Sequence, residues 1–497
     1  MNTFIKKKVA VVACLSLLGL GTFSCQKDLL DPVPETLLLP DAVFDTPARA
    51  LLQVNSLYSY VKVGNFLGGR YQVYSDVRAD DFLNRTSNAV TALQVWNHTL
   101  TETSQNDVIN LWTAAYQAIN QANVFLAGID ANSAKFVAPI FPDNFATTTA
   151  VNYKAEARFL RALSYYSLLQ LYARPYIDGN GSKPGLPLRL NAETDLNNND
   201  LARSTVAEVY AQIIADLNYA EQNLPLTQGA ANTTRAHRNT AIALKTRVYL
   251  TMGMYDKVII EANKIVPLTA PFVAPSGVAH TLNSSIAAVF APPQETSETI
   301  LAFPFTAQNA PGTQNQLAYY YLPSSLGGNG EYGLNSAGIL ANTTAWPTTD
   351  ARRTNFVTAV GTTSFLKKYS TGSPYTDKAP VIRYAEVMLN LAEARARTAG
   401  SADSQALALL NAVRGRSNPN GVYTAGTFTT TDAFVNAILL ERRIEFLGEG
   451  IRNIDIMRLN ATIPGKGSVP AIAPSNTIYV WPIPSTELAT NNLMVRN

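Results

Sequence analysis

Residues 441–458 read ERRIEFLGEGIRNIDIMR, and eight of these eighteen positions are charged in a chain that is 15% charged overall. Glu441, Glu445 and Glu449 stand at i, i+4 and i+8, so a helix would carry all three on one face. Paired carboxylates hydrolyse glycosidic bonds when they flank a substrate cleft. Here nothing sets two of them across a cleft, and Arg442, Arg443, Arg452 and Arg458 interleave with the acids. Charge-balanced, arginine-rich helices of this kind form ion-pair networks. Gly448 and Gly450 break the run into two helices. The stretch therefore reads as framework, with Arg442 and Arg443 pairing to acids of neighbouring helices, away from any ligand.

Outward from this run, helical periodicity dominates two blocks of the chain. The first includes DTPARALLQVNSLYSYVKV (45–63), NDVINLWTAAYQAINQANVFLAGID (106–130), YKAEARFLRALSYYSLLQLYA (153–173), STVAEVYAQIIADLNYAEQNL (204–224) and RNTAIALKTRVYLTMGMYDKVIIEANKIV (238–266). Asp45 or Thr46 caps the first, Ser204 caps the fourth, and Asn223-Leu224-Pro225 ends it. Gly253 marks a turn inside the last. Ala157, Ala162, Ala241, Ala243 and Ala262 suit close helix packing. The spacing suggests consecutive antiparallel helix pairs, similar to tetratricopeptide architecture. Helices return in APVIRYAEVMLNLAEARART (379–398) and SQALALLNAVRGRS (404–417).

From about 270 to 378 the period fades, and Pro, Gly, Asn, Ser, Thr and Tyr accumulate. Only Thr299–Phe303 and Ser364–Tyr369 read as strands there, and Thr477–Pro484 reads as a closing strand. A loop region of this length in a compact domain is usually functional.

The first 24 residues have the layout of an export signal: Lys6, Lys7 and Lys8, an apolar run too short for a membrane span, and Ser24 before Cys25. The junction resembles the bacterial lipobox, in which the cysteine is acylated and becomes residue one. Residues 25–40, with Pro32, Pro34 and Pro40, then form an extended lipidated tether. Removing the three signal lysines leaves 36 basic against 36 acidic residues, so no basic patch points to nucleic acid. With Cys25 lipidated and Cys14 in the signal, no thiol remains for a disulfide or metal site.

Other motifs carry no chemistry. Gly328–Gly333 spells GxGxxG without a preceding strand and a following helix, and so marks a turn. Asp178, Asn180 and Ser182 start like a calcium loop but lack its glycine and closing glutamate. His98, His237 and His280 are isolated in sequence and match no zinc motif. No nucleophile elbow occurs. No catalytic residue, metal or cofactor is expected.

Two loops collect aromatic and polar groups suited to sugars, whose rings stack on exposed aromatic faces while polar side chains bond the hydroxyls. Asp80, Asp81, Arg85, Trp96 and Asn97 are the candidates in the first; Tyr319, Tyr320, Tyr321 and Trp346 are those in the second. The competing role for any one ring is to cover core beneath a long loop.

Six blocks, in order, resemble the SusD/RagB family of outer-membrane nutrient-binding lipoproteins. They are EARFLRALSYYSLLQLYARPYI (156–177), RSTVAEVYAQIIADLNYAEQNLP (203–225), IRYAEVMLNLAEARAR (382–397), ALALLNAVRGRS (406–417), the opening stretch, and WPIPSTEL (481–488). Ile451 departs from the polar residue usual at that position. The resemblance implies a mainly α fold: tetratricopeptide-like helix pairs forming a superhelical scaffold, an irregular loop-rich region and a few short strands. Residues 41–497 would be one SusD-like domain, helical over 41–269, loop-rich and ligand-binding over 270–378, and closed by helices and a strand over 379–497. It implies binding of oligosaccharide, or peptide in some relatives, at the cell surface, and a lid role on a TonB-dependent SusC-like outer-membrane transporter. The alternatives by function class are a surface glycoside hydrolase using Glu445 and Glu449, and a scaffold that binds no small ligand.

Overall fold

The computed structural model describes residues 42–195, 197–400 and 403–497. The expected signal, the tether and Cys25 lie outside the described residues. The chain is mainly helical with a few short strands.

The first helix among the described residues, α1 (Pro47–Val61), starts at Thr46, whose hydroxyl accepts from Arg49 N at 3.3 Å, with Pro47 at the first helical position. Asp45 binds Lys135 at 2.8 Å instead. Then come α2 (Arg70–Val77), β1 (Phe82–Asn84), α3 (Leu93–Asn97), α4 (Asn110–Ala131), α5 (Ala150–Tyr172), α6 (Val206–Asn223), α7 (Arg238–Thr251) and α8 (Tyr255–Ala262). The irregular region holds α9 (Ile286–Phe290), β2 (Thr299–Phe303), α10 (Leu317–Tyr321), β3 (Tyr332–Leu334), α11 (Ala351–Phe356), β4 (Val357–Val360) and β5 (Thr363–Leu366). The chain ends through β6 (Ala379–Arg383), α12 (Tyr384–Ala399), α13 (Ser404–Ser417), α14 (Thr431–Glu445), α15 (Arg452–Arg458) and α16 (Ser485–Thr490).

Consecutive helices pack on one another from α4 through α8, and α8 hands over to α12, which packs on α13 and α14. Close approach follows from alanine: the five alanines singled out in the sequence are all fully buried. Helix α5 is the hub, buried almost continuously from Ala155 to Tyr172. Its Arg161 grips Asp216 of α6 through two bonds of 2.7 and 2.8 Å and donates to Asn123 of α4 at 2.7 Å. One side chain thus fixes three helices. Gly253, at φ +71°, turns α7 into α8.

Two local expectations are corrected. The cap of α6 is Thr205, not Ser204, because only Thr205 has a glutamate three residues on; Glu208 completes a reciprocal capping box. The run 477–484 is a 3₁₀ turn followed by extended chain, not a strand. Its Trp481 N–H donates at 2.8 Å to Leu171 O near the end of α5, so the segment satisfies a helix carbonyl rather than a sheet edge.

The charged stretch forms the last turn of α14 and all of α15, separated by Gly448 and Gly450 at φ +83° and +81°. A side chain at Gly450 would meet Gln72 Cα at 2.7 Å, so glycine is needed twice over there. The stretch is indeed an ion-pair framework, but its glutamates find their cations elsewhere in the chain. Glu441 takes Arg352 and Arg414; Glu445 takes Arg352, Arg383 and Arg416; Glu449 takes Lys368 and Arg383, each at 2.8 Å. Arg442 pairs with Asp455 at 2.9 Å and bonds Asn390 of α12 at 2.6 Å. All of these groups are buried except Arg416, which is half-buried as a residue but has a side chain only 4% exposed. The arginines and Lys368 hold the Glu445 and Glu449 carboxyls below the usual carboxylate range against the opposing effect of burial.

Candidate ligand-binding surface

The loop after α2 and the loop around β3 are far apart in sequence and meet in one small sheet. Its order is β1-β3-β5-β4, all antiparallel, with Phe82 opposite Leu334 and Asn84 opposite Tyr332. The pairing continues past β1, where Arg85 N donates to Glu331 O at 2.8 Å. Beneath it, Thr91 and Tyr332 clip the loops together: the Tyr332 hydroxyl donates to Thr91 O at 2.7 Å, and Thr91 Oγ1 to Glu331 at 3.0 Å.

Arg85 lies across this sheet. A Cβ on Gly333 would sit 3.2 Å from Arg85 Cδ, so the missing side chain makes room for the arginine stem. Its guanidinium donates to Thr363 Oγ1 at 2.7 Å and rests 5.2 Å from the centre of the Phe365 ring, while the residue as a whole is exposed.

Trp96 is half-buried on α3, a single turn bounded by two left-handed residues, Ala92 at φ +63° and His98 at φ +58°. Its indole N–H donates to Phe82 O at 2.9 Å, and Asn97, also half-buried, follows it. The Lys466 ammonium stands 5.8 Å from the ring centre, donates to Arg78 O at 2.6 Å and lies 3.3 Å from His98 Nε2. Burial first, then Arg78, lowers the lysine to about 7; burial, Lys466 and Arg78 lower His98 to about 3, which keeps the imidazole neutral.

Tyr319 is half-buried, accepts from Asn329 Nδ2 at 3.2 Å and meets Tyr375 edge-on at 6.0 Å. Tyr375, 56 positions along the chain, was not singled out in the sequence, where it follows a proline in an aperiodic run.

The other candidates are not on this surface. Tyr320 and Tyr321 have no exposure and Trp346 has 1%. The reason is α10: one helical turn puts Leu317, Tyr320 and Tyr321 at i, i+3 and i+4 on the inner face and leaves Tyr319 outside. Tyr321 packs on Phe82 at 4.9 Å between ring centres, and the Tyr320 hydroxyl donates to Gln314 O at 2.8 Å. Asp80 and Asp81 are occupied. Arg443 of α14 donates to Asp81 at 2.6 and 2.8 Å and to Asp80 at 2.8 Å, and Asp81 also accepts Ile339 N at 2.8 Å. The charged stretch therefore braces the first loop directly, rather than lying remote from it.

Two sequence readings meet the structure elsewhere. His237 and His280, 43 residues apart, stack with ring centres 5.2 Å apart, so they are not isolated in space. Asp178 binds Arg174 at 2.6 Å, and no cluster of metal-ligating groups occurs among the described residues.

Against known proteins, a family model described as "SusD family" matches residues 318–497, and one described as "Starch-binding associating with outer membrane" matches 53–250. A solved SusD superfamily protein from Bacteroides fragilis is 32% identical, with 91% of this chain and 99% of that one covered and a TM-score of 0.79. This chain belongs to the SusD family. SusD-like protein P2 of Formosa agariphila is 26% identical, with 98% of each chain covered. A solved laminarin-binding SusD-like protein shares the fold at a TM-score of 0.69 and 20% identity, over 91% of this chain and 99% of that one. SusD family members are binding proteins without catalytic activity, and the buried, fully paired Glu445 and Glu449 suit that standing. Outer-membrane association is carried by the family description.

Proposed function

We propose that this SusD-like protein binds an oligosaccharide on the surface formed by Trp96, Asn97, Arg85 and Tyr319, and passes it to a TonB-dependent SusC-like transporter as its lid subunit. In this reading a lipid on Cys25 anchors it at the cell surface. The observation that supports the reading most is the small sheet, which brings two distant loops together and leaves one aromatic ring of each half-exposed beside polar groups. Such rings meet the apolar faces of sugars, and the uncharged Asn97 and Asn329 suit neutral hydroxyls. The names of relatives point the same way: one solved SusD-like protein is described as laminarin-binding and another, from Bacteroides vulgatus, as a putative sugar-binding protein.

The direct test is calorimetric titration with neutral oligosaccharides and with peptides. Sugar binding that weakens about tenfold in Trp96→Ala, roughly 1.4 kcal/mol, is the expected result. Peptide binding alone, or unaltered sugar affinity in both Trp96→Ala and Tyr319→Ala, would overturn the ligand assignment. Cys25→Ala should release the protein from the membrane fraction; unchanged surface labelling would contradict the anchor.

A further inference from the structure

The loop from α4 to α5 holds an apolar turn out in water. Residues 136–142 read FVAPIFP, a run without a charge or a hydrogen-bonding side chain. Phe136, Phe141 and Phe145 are buried and pack as a triangle, with ring centres 4.6 to 5.1 Å apart. Phe141 N donates to Val137 O at 3.1 Å and closes the turn. Val137, Ala138, Pro139 and Ile140 stay outside, with Val137 60% and Ile140 61% exposed. Among the described residues, Leu268 at 68% is the one large aliphatic side chain more open to water. Four consecutive exposed apolar residues on a rigid base mark a contact surface.

Composition and place select what covers it. Specific protein interfaces bury about 800 Å² on each partner and centre on Tyr, Trp, Phe, Met and Arg. This turn offers four small aliphatic groups and none of those. A lipid surface asks only for apolar atoms at the depth of the headgroup boundary. The place is set by Lys135, which precedes the run and binds Asp45 at 2.8 Å. Phe44 lies against α4, with its ring centre 5.8 Å from that of Phe125. The turn and the point near residue 42 where residues 25–41 join the domain are therefore at the same end of α4. Residues 25–41 can reach at most about 60 Å, and the opposite end of α5 is about 35 Å along that helix. The turn belongs to the end nearer the anchor.

We propose that the turn 137–140 inserts into the lipid surface that holds the Cys25 anchor, as a second attachment beside the tether. The inference rests on the anchor reading above. The flanking charges, Lys135 and Asp143, have opposite signs, so insertion is apolar and indifferent to anionic headgroups. The tether keeps the turn at high local concentration near the bilayer, so an insertion too weak to hold a free protein suffices.

With Cys25 acylated and Cys14 in the signal, a single introduced cysteine can be labelled. The full lipidated protein, carrying an NBD dye on Ile140→Cys or on Leu268→Cys, is reconstituted on phosphatidylcholine vesicles with and without phosphatidylglycerol. Doxyl groups on the lipid should quench the dye at 140 by about twofold or more, as expected of a group at the acyl boundary. They should leave the dye at 268 unchanged, and the two vesicle types should agree. In the unlabelled protein, amide exchange across residues 137–141 should slow on the vesicles. Flotation with the vesicles reads the anchor separately. Protein that floats while the dye at 140 stays unquenched overturns the insertion and keeps the anchor; protein that does not float removes both. Equal quenching at 140 and 268, or quenching on anionic vesicles alone, also overturns the proposal. So does a dye shielded only when a copurified transporter is bound, which would make the turn a protein contact.

Discussion

The helices α14 and α15 and the loops around Trp96 and Tyr319 are both rich in polar groups, and they use them in opposite ways. In the helices nearly every charge turns inward and is matched: Glu441, Glu445 and Glu449 meet four arginines and a lysine drawn from α11, β6, α13 and the segment after β5. In the loops, Arg85 and Asn329 remain exposed, and Trp96 and Tyr319 are only half-covered. Dense charge marks framework when its partners are buried with it. Binding capacity lies where the protein has left a ring face or a donor uncovered.

Acid should break that contrast on the framework side with the largest effect. Asp455 is held down to about 2 by Arg442 and Arg458 against burial, and Glu393, Glu445 and Glu449 are also lowered. Their folded-state values lie below the unfolded ones of about 4. Their stabilisation is therefore complete above about pH 4.5 and lost as pH falls toward 2. Unfolding followed by circular dichroism should show cooperative loss in that window, and a flat stability from pH 5 to 2 would refute the network's role. A single cut, Glu445→Ala, takes one buried carboxylate away from Arg352, Arg383 and Arg416, leaving the buried cations under-matched, and should cost about 3–5 kcal/mol in denaturant unfolding. Sugar affinity, measured where the variant is folded, should be unchanged.

Neighbouring tyrosines sharpen the comparison within one loop. Tyr320→Ala removes a fully buried ring and should cost about 3–5 kcal/mol of stability. Tyr319→Ala should cost no more than about 1 kcal/mol and reveal itself in ligand affinity instead. Equal destabilisation by the two would mean that α10 does not divide its tyrosines into an inner and an outer face.

Most of the fold was legible because it rests on local signals: period-3.6 apolar faces, Thr46 before Pro47, Gly253 between two helices, and glycines splitting the charged run. Apart from the cap of α6, which the local Thr205–Glu208 box sets, the misreadings occurred where tertiary partners decide. Thr477–Pro484 has strand composition, yet its Trp481 backbone is bonded to the end of α5 rather than to a sheet. The cations that match Glu445 stand 29 to 93 residues away in sequence, beyond any periodic signal. For the site, the two loops could be read from composition, but the choice among Tyr319, Tyr320 and Tyr321 turns on one helical turn inside an aperiodic region. Tyr375 and the pairing of His237 with His280 left no local trace.

Arg443 gives the first loop a fixed post. With Asp80 and Asp81 fastened to α14, β1 begins from a set position, and α3 follows between two backbone reversals at Ala92 and His98. Residues 93–97 thus form a short cassette whose ends are defined by backbone geometry rather than by its own side chains. A chain built this way is well disposed to change what it recognises: replacing the half-buried Leu93, Gln94, Trp96 and Asn97 around the core residue Val95 would present new groups at the same place, while the helices, the salt-bridged interior and the post itself stay as they are.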